Sequence, residues 1–146
     1  MTYPRAIKTN GEGQSSAYHI NLTKALPAES RVVLPWPPSV NMLYANSPRK
    51  GRPRVRSENY RRWQKEAGWT LISQHPRKYD VPVKVSIELV PPNGRGFDLD
   101  NRAKAVLDLL VTHGILRDDN VRWVRGVSVT YAELGAPCTV VLEPVE

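Results

Sequence analysis

A short acidic stretch near residue 100 carries the chemistry that this chain most clearly offers. Two carboxylates stand two residues apart in Asp98-Leu99-Asp100-Asn101, Lys104 follows, and a second acidic pair, Asp118-Asp119, comes one element later. Carboxylate oxygens are the ligands that hard divalent cations such as Mg²⁺ prefer. The chain around these groups has a formal net charge of +7. Carboxylates concentrated in a basic protein predict a metal-dependent enzyme that acts on a polyanion.

Cleavage of a phosphodiester needs these residue types together. Its transition state adds charge to the phosphoryl oxygens, which a metal ion and a lysine such as Lys104 stabilise. A metal ion also lowers the pKa of a bound water, so that hydroxide is available near neutral pH. The same residues have a plainer explanation, because aspartates at a helix start often cap backbone N–H groups and Asp118-Asp119-Asn120 is ordinary turn chemistry. Composition and spacing leave both explanations open.

The elements that must position these groups can be predicted from hydrophobic patterns. We expect strands at 31–36, 82–90, 121–131 and 137–142, and helices at 57–74 and from about 100 to His113-Gly114. The fold class is therefore α/β (α+β), a single small domain in the order β-α-β-α-β-β, with a mixed sheet of about four strands. The core stripes of the two helices are predicted at Trp63, Ala67, Thr70 and Leu71, and at Ala103, Val106, Leu107, Leu110 and Val111.

The second helix sets the geometry of the acidic groups. On it, Asp100, Lys104 and Asp108 share one face at i, i+4, i+8 spacing. Asp118 and Asp119 are expected to return beside Asp98 only if the strand after them pairs near the end of the strand that precedes Asp98. Residues 39–56 show neither a helical nor a strand period, so we predict a long loop there.

Composition describes the rest of the chain. Residues 1–29 are polar and are predicted to be an extension to a domain at 30–146. No apolar run approaches the length of a membrane span, and the N-terminus has no apolar core of a signal peptide. The single cysteine, Cys138, lies in an apolar run and is predicted to be a buried strand thiol. We therefore expect a cytoplasmic protein with no membrane partner.

A basic segment covers the loop after the first strand and the beginning of the first helix. Cations there are dense, and they suit contacts to phosphates that do not depend on base sequence. Such charge runs are also common on solvated surfaces, which is the alternative for this segment. The residues we predict to contact DNA are Lys50, Arg52, Arg54, Arg61 and Arg62.

Several motifs taken together resemble the RusA family of Holliday junction resolvases. The resemblance extends from about Val32 to Tyr131. Either the Asp-Leu-Asp-Asn-x-x-Lys element or the proline-rich loop before it would be poor support by itself. The motifs that carry it are Pro37-Pro38-Ser39-Val40-Asn41, Asp98-Leu99-Asp100-Asn101, Lys104, Asp108, Gly114-Ile115-Leu116 and Asp118-Asp119.

The resemblance implies a homodimer that resolves four-way DNA junctions by paired symmetric nicks in recombination and repair. It implies a requirement for Mg²⁺, for which Mn²⁺ would substitute, and no small-molecule cofactor. Asp98, Asp100 and Asp119 would bind the metal, Lys104 would assist catalysis, and Asn101 would lie at the DNA-facing edge of the site. Asp118 stands beside the expected third ligand, so its own contribution is left open.

Two other functions compete with this expectation. One is a non-catalytic nucleic-acid-binding protein whose aspartates only cap a helix. The other is a phosphohydrolase with Asp98 as nucleophile. Phosphatases of that kind usually carry a hydroxyl or β-branched residue where this chain has Arg102, so we rank this function last.

Overall fold

A mixed four-stranded sheet carries both main helices on one face in the structure, a computed structural model that describes residues 25–42, 44–45, 55–94 and 96–146. Most of the predicted extension 1–29 lies outside these residues, as do Lys50, Arg52 and Arg54. Among the described residues, no helix is long and apolar enough to cross a membrane. In chain order the elements are β1 (Ser30–Leu34), β2 (Tyr44–Ala45), β3 (Val55–Arg56), α1 (Glu58–Ser73), β4 (Val83–Leu89), α2 (Ala103–Thr112), β5 (Val124–Tyr131) and β6 (Cys138–Pro144).

The order of the main elements confirms the predicted β-α-β-α-β-β succession. The sheet has the strand order β1-β6-β4-β5, in which β6 pairs antiparallel with both β1 and β4. The remaining pair, β4 with β5, is parallel, and its register joins Val85 to Val127 and Leu89 to Tyr131. A crossover is needed between parallel strands, and α2 lies within it. The sheet is therefore mixed, as predicted.

Strand β4 shows why alternation in the sequence was informative. Its residues alternate strictly between buried and exposed, with Val83, Val85, Ile87 and Leu89 in the core. These side chains face α1 and α2, while the opposite face of the strand is open to solvent. Cys138 at the start of β6 is fully buried, which confirms the predicted strand thiol.

Helix α1 begins where its capping residue predicted. The Ser57 Oγ accepts a hydrogen bond of 3.1 Å from the Tyr60 backbone N–H, so one of the free N–H groups of the first turn is satisfied. The predicted face is buried except for Thr70, which is half-buried and donates its hydroxyl to the Glu66 carbonyl. Tyr60 and Gly68 join that face.

The buried side of α2 is wider than its predicted stripe. Ala105 and Leu109 are fully buried together with Val106 and Leu110, whereas the other predicted positions are only partly buried. The predicted stripe covered one packing surface, but α2 contacts α1 and its buried residues also join the core cluster that includes the sheet. The helices approach closely at Gly68, where a Cβ would lie 2.7 Å from His113 Nε2.

Three further boundaries differ from prediction. The helix start near Asp100 is a 3₁₀ turn, Asp100–Arg102, that continues into α2. The loop predicted at 39–56 contains a 3₁₀ turn, Val40–Met42, and the short β2–β3 pair, whose strands are too brief to show a period. Strand β5 begins at Val124 because the backbone N–H groups of Trp123 and Val124 both bond to the Asn120 carbonyl in a turn. As predicted, α2 ends at His113, followed by Gly114 at φ 73°.

Candidate active site

The aspartates at the start of α2 do not cap it. Neither the 3₁₀ turn nor α2 has a side-chain hydrogen bond at its capping residue, Leu99 and Arg102 respectively. Asp98 and Asp100 are instead exposed, and Asp98 Oδ2 accepts a bond of 3.1 Å from Asn101 Nδ2. An exposed pair of carboxylates that is not used for capping is available to bind a ligand.

Lys104 connects α2 to the turn before β5. Its Nζ lies 2.9 Å from Asp108 Oδ1, one helical turn along, and 3.3 Å from Asp119 Oδ2. The pKa of Lys104 is raised, chiefly by the hydrogen bond to Asp108, with a further contribution from Asp119. The lysine is half exposed, so it is a charged group at a surface rather than part of the core. It stands on the side of α2 that faces away from the core, as its spacing from Asp108 predicted.

The two neighbouring aspartates of the turn have different partners. Asp118 accepts through Oδ1 from the Asp119 backbone N–H at 2.7 Å and through Oδ2 from Asn120 Nδ2 at 2.6 Å. Both of its oxygens are therefore engaged in shaping the turn. Asp119 instead directs its carboxylate to Lys104. The two neighbours therefore differ in hydrogen bonding, and Asp119, which the family resemblance implies as the ligand, is the one that reaches Lys104.

The sheet does not meet the condition that the sequence set for Asp118 and Asp119 to return beside Asp98. Because β4 and β5 are parallel, the turn before β5 lies near the beginning of β4, whereas Asp98 follows its end. It is α2, carrying Lys104, that bridges the two regions. Among the described residues, no group of three or more carboxylate, imidazole or thiol side chains is placed to hold a metal ion. Asp98, Asp100 and Asp119 thus do not converge as one set here.

A residue that the sequence analysis did not assign to the site joins it to the proline-rich loop. Arg102 Nη1 donates a bond of 2.7 Å to the Pro37 carbonyl, and its guanidinium lies 4.9 Å from the centroid of the Trp36 ring. The Trp36 ring in turn meets Phe97 edge to face at 5.0 Å. The Pro37–Asn41 loop and the Asp98–Asn101 segment therefore come together in space. In the sequence, the one indication that these two segments meet was that both belong to the set of motifs that carries the family resemblance.

The predicted DNA contacts are described in part. Arg61 and Arg62 are both exposed on α1, and Arg62 Nη1 donates to Asn59 Oδ1 at 3.3 Å. Arg56, just before the helix, lies 5.2 Å from the centroid of the Tyr60 ring. Asn101 is half-buried beside Asp98. Exposed arginines at this end of α1 suit contact with an anionic partner.

Comparisons with known proteins agree with the motifs. The family described as endodeoxyribonuclease RusA matches residues 35–141. A crossover junction endodeoxyribonuclease of Enterobacteria phage HK97 is 31% identical over 117 residues, which cover 76% of this chain and 94% of that protein. Proteins of the same name from Escherichia coli K12 and Enterobacteria phage 82 are each 35% identical over 88 residues, 60% of this chain and 72% of theirs.

The matched range contains every part of the site just described, from the Trp36 ring to the Asp119 carboxylate. It also contains most of the sheet and both helices. The chain belongs to the RusA family of endodeoxyribonucleases.

Proposed function

We propose that this chain is an endodeoxyribonuclease that resolves Holliday junctions by paired symmetric nicks during DNA recombination and repair. The observation that carries the proposal is the family match over residues 35–141, shared with relatives named for crossover junction cleavage. The substrate would be branched DNA, and the enzyme would act in the cytoplasm, where such DNA is found.

The helix start argues against the non-catalytic alternative. That alternative requires the aspartates to be committed to capping, and the described capping residues make no such side-chain bond. Exposed carboxylates repel a bound polyanion such as DNA, so they weaken DNA binding. Their presence is explained if they bind a cation or take part in a reaction. An exposed Asp98-x-Asp100 pair beside a lysine is thus better explained by catalysis than by binding alone.

The chemistry of the donors fits a divalent cation, although the three carboxylates do not form one cluster in the described residues. Asp98 and Asp100 offer exposed oxygen ligands at one turn, and Asp119 is linked to the first turn of α2 through Lys104. We propose that these residues hold Mg²⁺, with Mn²⁺ as a substitute. When bound, such an ion would polarise the phosphodiester and supply hydroxide near neutral pH.

The protein's own residues supply the rest of the chemistry. Lys104 remains protonated because Asp108 and Asp119 stabilise its charge, so it can counter charge that develops on the phosphoryl oxygens. Asn101 holds the Asp98 carboxylate by its amide N–H. Arg61 and Arg62, with Lys50, Arg52 and Arg54, would bind phosphates on the junction arms independently of base sequence.

Two copies of the chain would act together. A four-way junction has two-fold symmetry, and two matched nicks are most simply made by two copies of one site. We therefore propose a homodimer. Light scattering should give twice the chain mass for the free protein and two chains per junction for the complex, and a monomer in both states would contradict this part of the proposal.

The test of function uses a labelled synthetic four-way junction, with linear duplex of the same sequence as control. The parent protein should nick opposite strands of the junction only when Mg²⁺ is present and should leave the duplex intact. Asp100→Asn should abolish cutting while junction binding persists. Asp80→Asn, which removes an exposed carboxylate outside the site, should cut at the parent rate. Magnesium-independent binding without any cutting would instead establish a binding protein.

A further inference from the structure

We propose that Arg102 is a positioning residue, which fixes the Pro37–Asn41 loop against the turn that carries Asp98 and Asp100. Its consequence for cleavage rests on the proposed nuclease function, but its consequence for the loop does not. The inference concerns a side chain that neither holds a metal nor caps a helix.

Two contacts of different kinds define the position of the guanidinium. Arg102 Nη1 donates in the guanidinium plane to the Pro37 carbonyl, 65 residues away in sequence, at 2.7 Å. The guanidinium also lies 4.9 Å from the centroid of the Trp36 ring. A planar group can donate along its edge while its face rests on an aromatic ring, and a lysine ammonium cannot do both. The two contacts together specify arginine.

Part of the Arg102 guanidinium is buried in a way that is energetically unfavourable, which a surface arginine would avoid. Arg102 Nε is buried and has no hydrogen-bond partner among the described residues. Burial lowers the pKa of Arg102, and the nearby Asp98 carboxylate opposes that change. A buried donor without a partner is unfavourable, so the arginine is held in place by its other contacts. An arginine present only for solubility would extend into water instead.

Side chains hold two nearby residues at the entry to the loop. Trp63 Nε1, on α1, donates to the Pro35 carbonyl at 3.1 Å. Arg102, in the 3₁₀ turn before α2, donates to the Pro37 carbonyl two residues later. Beyond these anchors the Val40–Met42 turn packs against the Asp100–Arg102 turn. The loop is therefore held next to the turn that carries Asp100.

Such an anchor affects rate more than affinity. Binding to DNA is dominated by many separate phosphate contacts, which a shift of one loop leaves mostly intact. Cleavage depends on the placement of the reacting groups, so that a displacement of about 1 Å can cost on the order of 100-fold in rate. Loss of Arg102 is therefore expected to slow cleavage of bound junction.

The experiment compares Arg102→Met and Arg102→Lys with Arg125→Met. Arg125 is a suitable control because, among the described residues, its guanidinium makes one long contact of 3.5 Å, to the Glu146 carbonyl, and its loss removes the same charge. Three quantities are measured below the unfolding temperature of every variant. They are the single-turnover cleavage rate at saturating enzyme, the Kd for uncut junction without divalent ions, and hydrogen exchange of the backbone amides of residues 36 and 39–42, since Pro37 and Pro38 have no N–H.

Arg102→Met should cut roughly 10- to 100-fold more slowly, with a Kd within about threefold of the parent because phosphate contacts dominate binding. Loop amides should exchange faster. Arg102→Lys, which keeps a donor but not the stack, should give an intermediate rate and intermediate exchange. Arg125→Met should match the parent in rate and exchange.

Unchanged loop exchange in Arg102→Met would overturn the inference, as would a parental single-turnover rate in that variant. If Arg102→Met fails to fold, the same comparison is made with Arg102→Lys, for which parental exchange and rate would be equally contrary. A parent protein that cuts no junction would refute the proposed function alone, because loop exchange still tests the role of Arg102.

Discussion

The Lys104 Nζ lies between two carboxylates, 2.9 Å from Asp108 Oδ1 and 3.3 Å from Asp119 Oδ2. The first contact is within α2, and the second joins that helix to the turn before β5. One cation therefore pairs with two carboxylates and holds Asp119 at the helix. The placement of Asp119 depends on Lys104 as much as on the turn itself.

Replacement of Lys104 by methionine should reduce the single-turnover cleavage rate on the order of 100-fold, because the group that counters transition-state charge is lost. Junction binding should change much less. The matched control is Lys84→Met, which removes an exposed lysine from β4. Parental cleavage by Lys104→Met would contradict the role that we assign to this residue.

The neighbouring aspartates 118 and 119 should respond differently to removal of their charge. Asp119→Asn should raise the Mg²⁺ concentration needed for half-maximal cleavage by at least about tenfold, since a proposed ligand is weakened. Asp118→Asn should leave that concentration nearly unchanged but lower the free energy of unfolding by about 1 kcal/mol, because it disturbs hydrogen bonds within the turn. Cleavage titrations and denaturant melts measure the two effects. Chelation of divalent ions should stop cutting by every variant, and equal Mg²⁺ requirements for the two variants would count against Asp119 as a ligand.

A buried tyrosine fastens the residues before β1 to the domain. The Tyr79 hydroxyl lies 2.7 Å from the Ala28 carbonyl, 2.8 Å from Ser30 Oγ and 3.3 Å from the Leu142 carbonyl. Tyr79→Phe should reduce the free energy of unfolding by about 1–3 kcal/mol, because polar groups lose their partner in a buried place. Urea denaturation measures the change. Tyr131→Phe, at an exposed ring, should be nearly neutral, and equal effects of the two substitutions would contradict this explanation.

The buried thiol predicts a loss of stability at high pH. Burial raises the pKa of Cys138 to about 12, whereas the pKa of a thiol in an unfolded chain is about 8.5. Between these values the folded state binds more protons than the unfolded state, so stability falls as the pH rises, by up to about 1.4 kcal/mol per pH unit. Urea melts of the parent should show this slope relative to Cys138→Ala. At pH 8 the folded protein should also react slowly with a thiol reagent, and parallel stability curves for the two proteins would refute the assignment.

Much of the fold could be predicted because its signals are local. The alternation of Val83, Val85, Ile87 and Leu89 depends only on the period of a strand, and Ser57 caps a helix three residues from its partner. The same holds for Gly114 at the end of α2. Residues 39–56 were harder, because β2 and β3 have two residues each and their pairing is not visible in any period.

In the candidate site, too, the features with local signals could be predicted and those that depend on long-range contacts could not. Its acidic residues and Lys104 were evident from their types and spacing alone. Residue type and spacing alone could not distinguish Asp118 from Asp119, because both precede the same strand; only the family resemblance implied Asp119, and only hydrogen bonding separates the two in the structure. Nor could residue type and spacing find Arg102, whose partner Pro37 stands 65 residues away. Such contacts depend on the parallel pairing of β4 with β5 and on the packing of α2 against α1 and the core. The strand pairing and the helix packing join residues that are distant in sequence. They are determined by burial of the whole core and form only when the chain folds as one unit.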